Sequence, residues 1–188
     1  MRTAAHVTTI ALLLASVGCV LGLHVLRSDL DPIAHRLSEY ASGPYGWLMT
    51  TAFFAMGLAL MTLAFQVGTS ANSARIQRVV APLIALAGVG LILSGVFKTA
   101  TGSTLIEIIH SRASATSVLA LTAAAVASST HPASSHFDTA ARVVTVVAVV
   151  AVAISPILHD TPWTGIGQRF VWLALTAWLL ITAWQPTR

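Results

Sequence analysis

Apolar residues run in six stretches, at 7–26, 45–67, 79–97, 105–126, 140–158 and 166–184, separated by short polar or turn-forming segments. Each run matches the roughly 20 residues that an α-helix needs to cross ~30 Å of hydrocarbon. A segment in lipid must satisfy its own backbone donors and acceptors, which a helix does internally. None of the runs alternates with the period of two that a membrane β-barrel strand requires. The pattern therefore predicts an all-α, polytopic six-transmembrane-helix bundle, one transmembrane domain over residues 1–188. Turn residues punctuate it at Asp31-Pro32, Gly43-Pro44, 68–73, 99–102, 128–135 and 156–167. No connection is long enough for a second domain.

Composition agrees with this reading. Apolar residues make up 56% of the 188 and charged ones only 9%, against roughly a quarter charged in a soluble domain. That excludes a free globular domain and a disordered chain. A single cysteine, Cys19, excludes a disulfide framework. Ser16-Val17-Gly18-Cys19 resembles a lipoprotein cleavage box, but the apolar run continues past Cys19, which reads better as a buried thiol. Gly18 and Gly22 form a G-x-x-x-G pair, and Gly88, Gly90 and Gly95 recur in the third run. Such residues serve a dimer face or close packing within one bundle, and the second use is expected here. The formal charge of +4 is expected to flank membrane helices rather than to bind nucleic acid, since no extended basic patch is present. There is no P-loop, dinucleotide glycine motif, G-x-S-x-G or C-x-x-C.

With six spans, the two termini and segments 68–78 and 127–139 share one membrane face. That face carries Arg2, Arg75, Arg78, Arg142 and Arg188 with only Asp138 opposing them. The other face carries Arg27, Arg36, Lys98, Arg112 and Arg169 with Asp29, Asp31, Glu39, Glu107 and Asp160, plus His24, His35, His110 and His159. A balanced, histidine-rich cluster near the bilayer is costly unless its members are paired or functional. Its basic residues are therefore discounted as topology signals, which places both termini in the cytoplasm of a plasma-membrane protein and the cluster outside. Tyr40, Tyr45, Trp47 and Trp163 would form the outer aromatic belt and Trp184 the inner one; Trp172 and Trp178 read as packing residues.

Three constellations stand out in the cluster. Asp31-Pro32 can cap a short interfacial helix over 32–40, on which His35 and Glu39 share a face, as do Arg36 and Tyr40. Glu107 and His110, three apart at the start of the fourth helix with Arg112 beside them, share another. Glu-x-x-His also belongs to di-iron bundles, but those need further glutamates, and this chain has only Glu39 and Glu107. No cofactor is favoured. Zinc on His35, His110 and His159, or haem between His24 and His110, are the candidate alternatives. The third constellation is His159-Asp160 followed by Arg169. A cation near a helix N-terminus opposes the dipole, so Arg169 is expected to meet an acid such as Glu39 or Asp160, or an anionic ligand. His131 and His136 read as solvated.

Segment 24–48, His-Val-Leu-Arg-Ser-Asp-Leu-Asp-Pro-Ile-Ala-His-Arg-Leu-Ser-Glu-Tyr-Ala-Ser-Gly-Pro-Tyr-Gly-Trp-Leu, resembles the signature of the domain-of-unknown-function 998 family. These are six-helix bacterial and archaeal membrane proteins with a Ser-Glu-Tyr or Ser-Asp-Leu after helix one. Phe97-Lys-Thr99 before helix four, with His110 inside it, and Gly167-Gln-Arg169 leading to Trp178 add to the resemblance, which covers nearly the whole chain. The family often has an Asp after Phe-x-Thr, where this chain has Ala100. The resemblance implies the architecture rather than a reaction. Together these features lead to one expectation: a membrane protein with an outward polar pocket that binds or transforms a lipid or small amphiphile. Glu39 and His110 would be the acid/base pair. Arg36, Ser38, Tyr40, Lys98, Glu107, Arg112, His159, Asp160 and Arg169 would line the pocket, with Arg169 within ion-pair reach of Glu39. The alternative from another class is a non-catalytic subunit or sensor whose cluster is a structural ion-pair network. A metal or haem enzyme comes third. The sequence does not define an oligomeric state.

Overall fold

The computed structural model describes residues 2–70, 74–98, 102–130 and 136–184. Thr99, Ala100, His131 and Arg188 lie outside the described residues, as do the side chains of Arg2 and Arg75. Among the described residues the chain is helical, without strands: α1 (Arg2–Leu26), a 3-10 helix (Leu37–Ala41), α2 (Gly46–Gly68), α3 (Ala74–Val96), α4 (Thr104–Ser129), α5 (His136–Leu158) and α6 (Thr164–Trp184). Five of the six α-helices are long and apolar enough to cross a bilayer. The exception is α4, long at 26 residues but diluted by Glu107, His110, Arg112 and its serines and threonines.

Neighbours in sequence pack antiparallel. On α1 and α2, Thr9 meets Thr62 at 2.7 Å and Ser16 donates to the Ala52 carbonyl at 2.9 Å. Ser117 of α4 donates to the Ala87 carbonyl of α3 at 2.8 Å. Helix α6 closes the bundle against α5, α1 and α4. These side-chain bonds replace the hydrophobic drive, which is weak between helices in lipid.

Glycines bring α2, α3 and α4 close. A Cβ on Gly57 would sit 2.9 Å from the Gly88 carbonyl, and one on Gly90 would sit 2.7 Å from that of Ala113. The expectation of close packing thus holds in α2–α4. It fails for Gly18 and Gly22, around which nothing lies within 4 Å: this pair faces away from the bundle. The side chains on the outer faces are apolar, as on Phe65, Leu119 and Val147. This suits a hydrocarbon surround. Helix α5 is the least buried of the five apolar helices.

The short helix expected over 32–40 is present only in its second half, as the 3-10 helix Leu37–Ala41. The chain turns at 32–34, is extended at Arg36 (φ −70°, ψ 152°) and then makes only the 3-10 helix. The reason lies in competing hydrogen bonds. An α-helix would send the Leu37 N–H to the Ile33 carbonyl. Instead that N–H donates to Gln168 Oε1 at 2.5 Å, and the Ile33 carbonyl accepts the N–H groups of Gly165 and Ile166 at 2.9 and 3.2 Å. The loop thereby supplies acceptors for the N–H groups that open α6, which have no partner inside their own helix. Gly165 is required by this contact, since a Cβ there would lie 2.5–2.6 Å from the carbonyls of Pro32, Ile33 and His35.

Candidate functional site

The loop after α1 is held from beneath by Arg27. Its side chain is 7% exposed; it chelates Asp29 through Nε and Nη2, both at 2.8 Å, and donates through Nη1 to the Ser42 and Pro44 carbonyls at 2.6 and 3.2 Å. This guanidinium keeps the Asp29 carboxyl below its ordinary range, chiefly through their hydrogen bond, and the carboxylate makes Arg27 hold its proton more tightly. Arg27 thus fixes the segment that carries Ser38, Glu39 and Tyr40.

Arg169, in the second turn of α6, is the hub above it. Nε donates to His24 Nε2 at 2.9 Å, Nη1 to the His35 and Gly165 carbonyls at 2.7 and 3.1 Å, and Nη2 to the Tyr40 hydroxyl at 3.1 Å. Four of the five N–H donors of the guanidinium are thus on neutral acceptors. Arginine cannot accept, so His24 must do so through Nε2. That puts the imidazole proton on Nδ1, which lies 2.7 Å from the Val20 carbonyl. Tyr40 in turn donates to the Leu30 carbonyl at 3.1 Å, stacks on His24 with centroids 5.4 Å apart and lies under the Arg169 guanidinium at 5.5 Å. The expected Arg169–Glu39 ion pair is absent: Asp31 and Glu39 act on Arg169 only through space. Glu39 instead faces Arg36 at 4.0 Å, with both side chains 37% exposed.

The other expected site residues divide clearly. Ser38 and Tyr40 are buried beside the hub. His110 is buried at the α3–α4 contact, with Nδ1 2.7 Å from the Phe97 carbonyl, Nε2 3.4 Å from Ser114 Oγ and the Phe53 ring edge-on to it. The partners of its ring are Ser94, Phe97, Ser114 and Phe53, and Glu39 is not among them. Lys98 is half-buried; Glu107 and Arg112 are exposed on α4. His159 and Asp160 bond each other at 2.9 Å on the exposed α5–α6 connection, away from Arg169. No group of three or more His, Cys, Asp or Glu is placed to hold a metal among the described residues, so His35, His110 and His159 do not converge as zinc ligands. His24 and His110 are each tied through Nδ1 to helix carbonyls and through Nε2 to separate partners, Arg169 and Ser114.

Below the hub lies a cavity of about 110 Å³. Its walls are Met49, Phe53 and Met56 of α2, Leu91 of α3, Ser114, Ser117, Val118 and Leu121 of α4, and Val171, Trp172, Leu175, Thr176 and Leu179 of α6. Leu37, Ser38 and Gln168 edge it at the loop end. The cavity joins the hub to the bundle interior because Gln168 serves both, lining one and accepting the Leu37 N–H of the other. His24 is expected from the sequence only as a haem-ligand alternative, and Gln168 and the cavity residues other than Ser38 are not expected as site residues. Gln168, inside Gly167-Gln-Arg169, was the one with a signal. Trp172, expected to be a packing residue, lines the cavity, whereas Trp178 is fully packed.

Antiparallel apolar helices, capped at one end by a buried polar loop, define a multi-pass helical membrane protein. The chain belongs to the family described as protein of unknown function (DUF998), which matches residues 9–185. No curated protein and no solved structure matches it.

Proposed function

We propose that this protein binds an amphiphile at the capped end of the bundle, with an apolar portion in the cavity and a polar portion at Ser38 and Gln168. The cavity carries the reading. Well-packed interiors leave few voids larger than a water molecule, and this one is mainly apolar along α2, α4 and α6, with Ser114, Ser117 and Thr176 as polar points on its walls and Ser38 and Gln168 at its loop end. A dry cavity of roughly 150 Å³ admits a benzene ring. A volume of about 110 Å³ therefore suits a few carbons of a longer chain rather than a whole lipid. In this reading Arg169 is a structural stitch. It ties α1, the loop and α6 together through His24, His35, Tyr40 and Gly165 and gives the polar end its positive charge without a directly paired carboxylate. That favours a binding protein over acid/base catalysis by Glu39 and His110. The polar end faces outward from the plasma membrane, with both termini in the cytoplasm.

Native mass spectrometry of protein extracted in mild detergent tests the reading. Wild type is expected to retain a co-purifying amphiphile and Val118→Phe, which fills the cavity, to lose it. Leu119→Phe, one residue along on the outer face and 60% exposed, should retain it. Equal retention by both variants, or none by wild type, would refute the proposal.

A further inference from the structure

Nine polar side chains are buried among the described residues: Thr9, Ser16, Arg27, Ser38, Ser94, His110, Ser117, Thr145 and Thr176. Buried polar groups are almost always hydrogen-bonded, so each exception calls for an explanation. Eight of the nine have partners within the protein. Thr176 has none. It is 6% exposed, sits in the fourth turn of α6 and lines the cavity. Other buried threonines in this bundle bond a carbonyl four residues back, as Thr9 and Thr145 do at 3.1 and 2.8 Å. Thr176 leaves that easy bond unmade.

The α4 wall of the same cavity is short of a proton. Ser94 donates its hydroxyl to the Gly90 carbonyl at 2.9 Å, so the 2.8 Å contact between Ser94 Oγ and Ser114 Oγ must use the proton of Ser114. His110 Nδ1 faces two carbonyls, Ser94 at 3.0 Å and Phe97 at 2.7 Å, and so carries its ring proton there. In the neutral ring Nε2 is then a bare acceptor, 3.4 Å from Ser114 Oγ. Ser114 thus faces two acceptors with one proton, and it lines the cavity. What this wall lacks is a donor.

The geometry points to a hydroxyl-bearing hydrocarbon as the ligand class of this cavity. This deepens the reading of the cavity as an amphiphile site and rests on it. A hydroxyl is both acceptor and donor, so it suits Thr176 and the Ser114–His110 wall alike. A plain acyl segment matches neither, and an ester carbonyl matches only Thr176. Gln168 marks the loop end of the cavity and Thr176 lies eight residues further along α6, roughly 12 Å at 1.5 Å per residue. The hydroxyl is therefore held inside the bundle rather than at its polar edge.

The test uses a matched pair of quenchers, 6-bromohexan-1-ol and 1-bromoheptane, which differ by a hydroxyl in place of a methyl. Phenylalanine replaces Trp47, Trp163 and Trp184, which are 64%, 54% and 62% exposed, so that emission comes from Trp172 in the cavity wall and from Trp178. The alcohol is expected to quench saturably with a midpoint about five- to tenfold lower in micellar mole fraction than bromoheptane, the gain set by one or two neutral hydrogen bonds. Thr176→Val is expected to abolish that gap while leaving the bromoheptane midpoint unchanged. Equal midpoints in the parent protein would overturn the inference and show that water or nothing answers Thr176, while leaving the cavity reading intact. A gap that survives Thr176→Val would overturn it as well. Failure of both probes to quench saturably would instead sink the cavity reading on which the inference rests.

Discussion

Replacing Arg169 separates the hub as built from the ion pair that charge alone suggests. Its guanidinium makes four hydrogen bonds at 2.7–3.1 Å, all to neutral acceptors. A bond with a charged partner contributes about 1.5–3 kcal/mol net when buried. Arg169 is half-buried, so water can replace part of this, and the low end applies to each bond. Four such bonds come to about 6 kcal/mol, of which water at the half-buried guanidinium restores part, so Arg169→Met is expected to lose about 3–5 kcal/mol, and no carboxylate is left stranded. Double-mutant cycles, read from SDS or thermal unfolding in mild detergent, locate the energy. Coupling of Arg169→Met with His24→Leu should be about 1–2 kcal/mol, and with Tyr40→Phe about 1 kcal/mol. Coupling with Glu39→Gln should stay below about 0.5 kcal/mol, because Glu39 acts only through space and across solvent. Coupling above about 1 kcal/mol with Glu39 and none with His24 would refute this account of the hub.

Three further outcomes are expected. Gly165→Ala should cost at least the ~1–3 kcal/mol of an overpacked contact, since its Cβ would lie 2.5–2.6 Å from three carbonyls, whereas Gly18→Ala, in open space, should leave the melting temperature unchanged. Arg27 lowers the Asp29 carboxyl, so the stabilisation from this pair should be complete above the ordinary carboxylate range near pH ~4 and be lost as the pH falls through the depressed folded value. Asp29→Asn should flatten that acid limb of a melting-temperature profile; an unchanged limb would contradict the clamp. In a Cys19→Ala background, an impermeant thiol reagent on intact cells should label Ser42→Cys and not Asn72→Cys, and the reverse would invert the assigned orientation.

The helices were legible in the sequence because lipid imposes one pattern: long apolar runs whose backbone is satisfied internally. Helix α4 shows the margin of that rule, since its polar residues leave it outside the apolar set although it packs between α3 and α5. The site was only partly legible. Arg169, Tyr40, Ser38 and His110 were marked by charge or polarity in an apolar chain. Their partners were not, because Arg169 chose backbone carbonyls and a neutral histidine, and carbonyls carry no sequence signal. The same competition dissolved the first half of the helix expected over 32–40, whose internal bonds are taken by Gln168, Gly165 and Ile166. The cavity was invisible in advance, since its wall residues read as ordinary core until three helices are placed around them. Thr176 shows this best: in sequence it is one of several threonines in spans, and only its missing partner sets it apart.

The central claim is that an apolar chain enters the space between α2, α4 and α6. Photolabelling in native membranes with a diazirine in the acyl chain of a phospholipid tests it most directly. The account predicts saturable labelling of Met56, Val118 and Leu175 on the cavity wall, suppressed by excess unlabelled lipid extract. Labelling confined to outward side chains such as Phe65, Leu119 and Val147, rising linearly with probe, would contradict it.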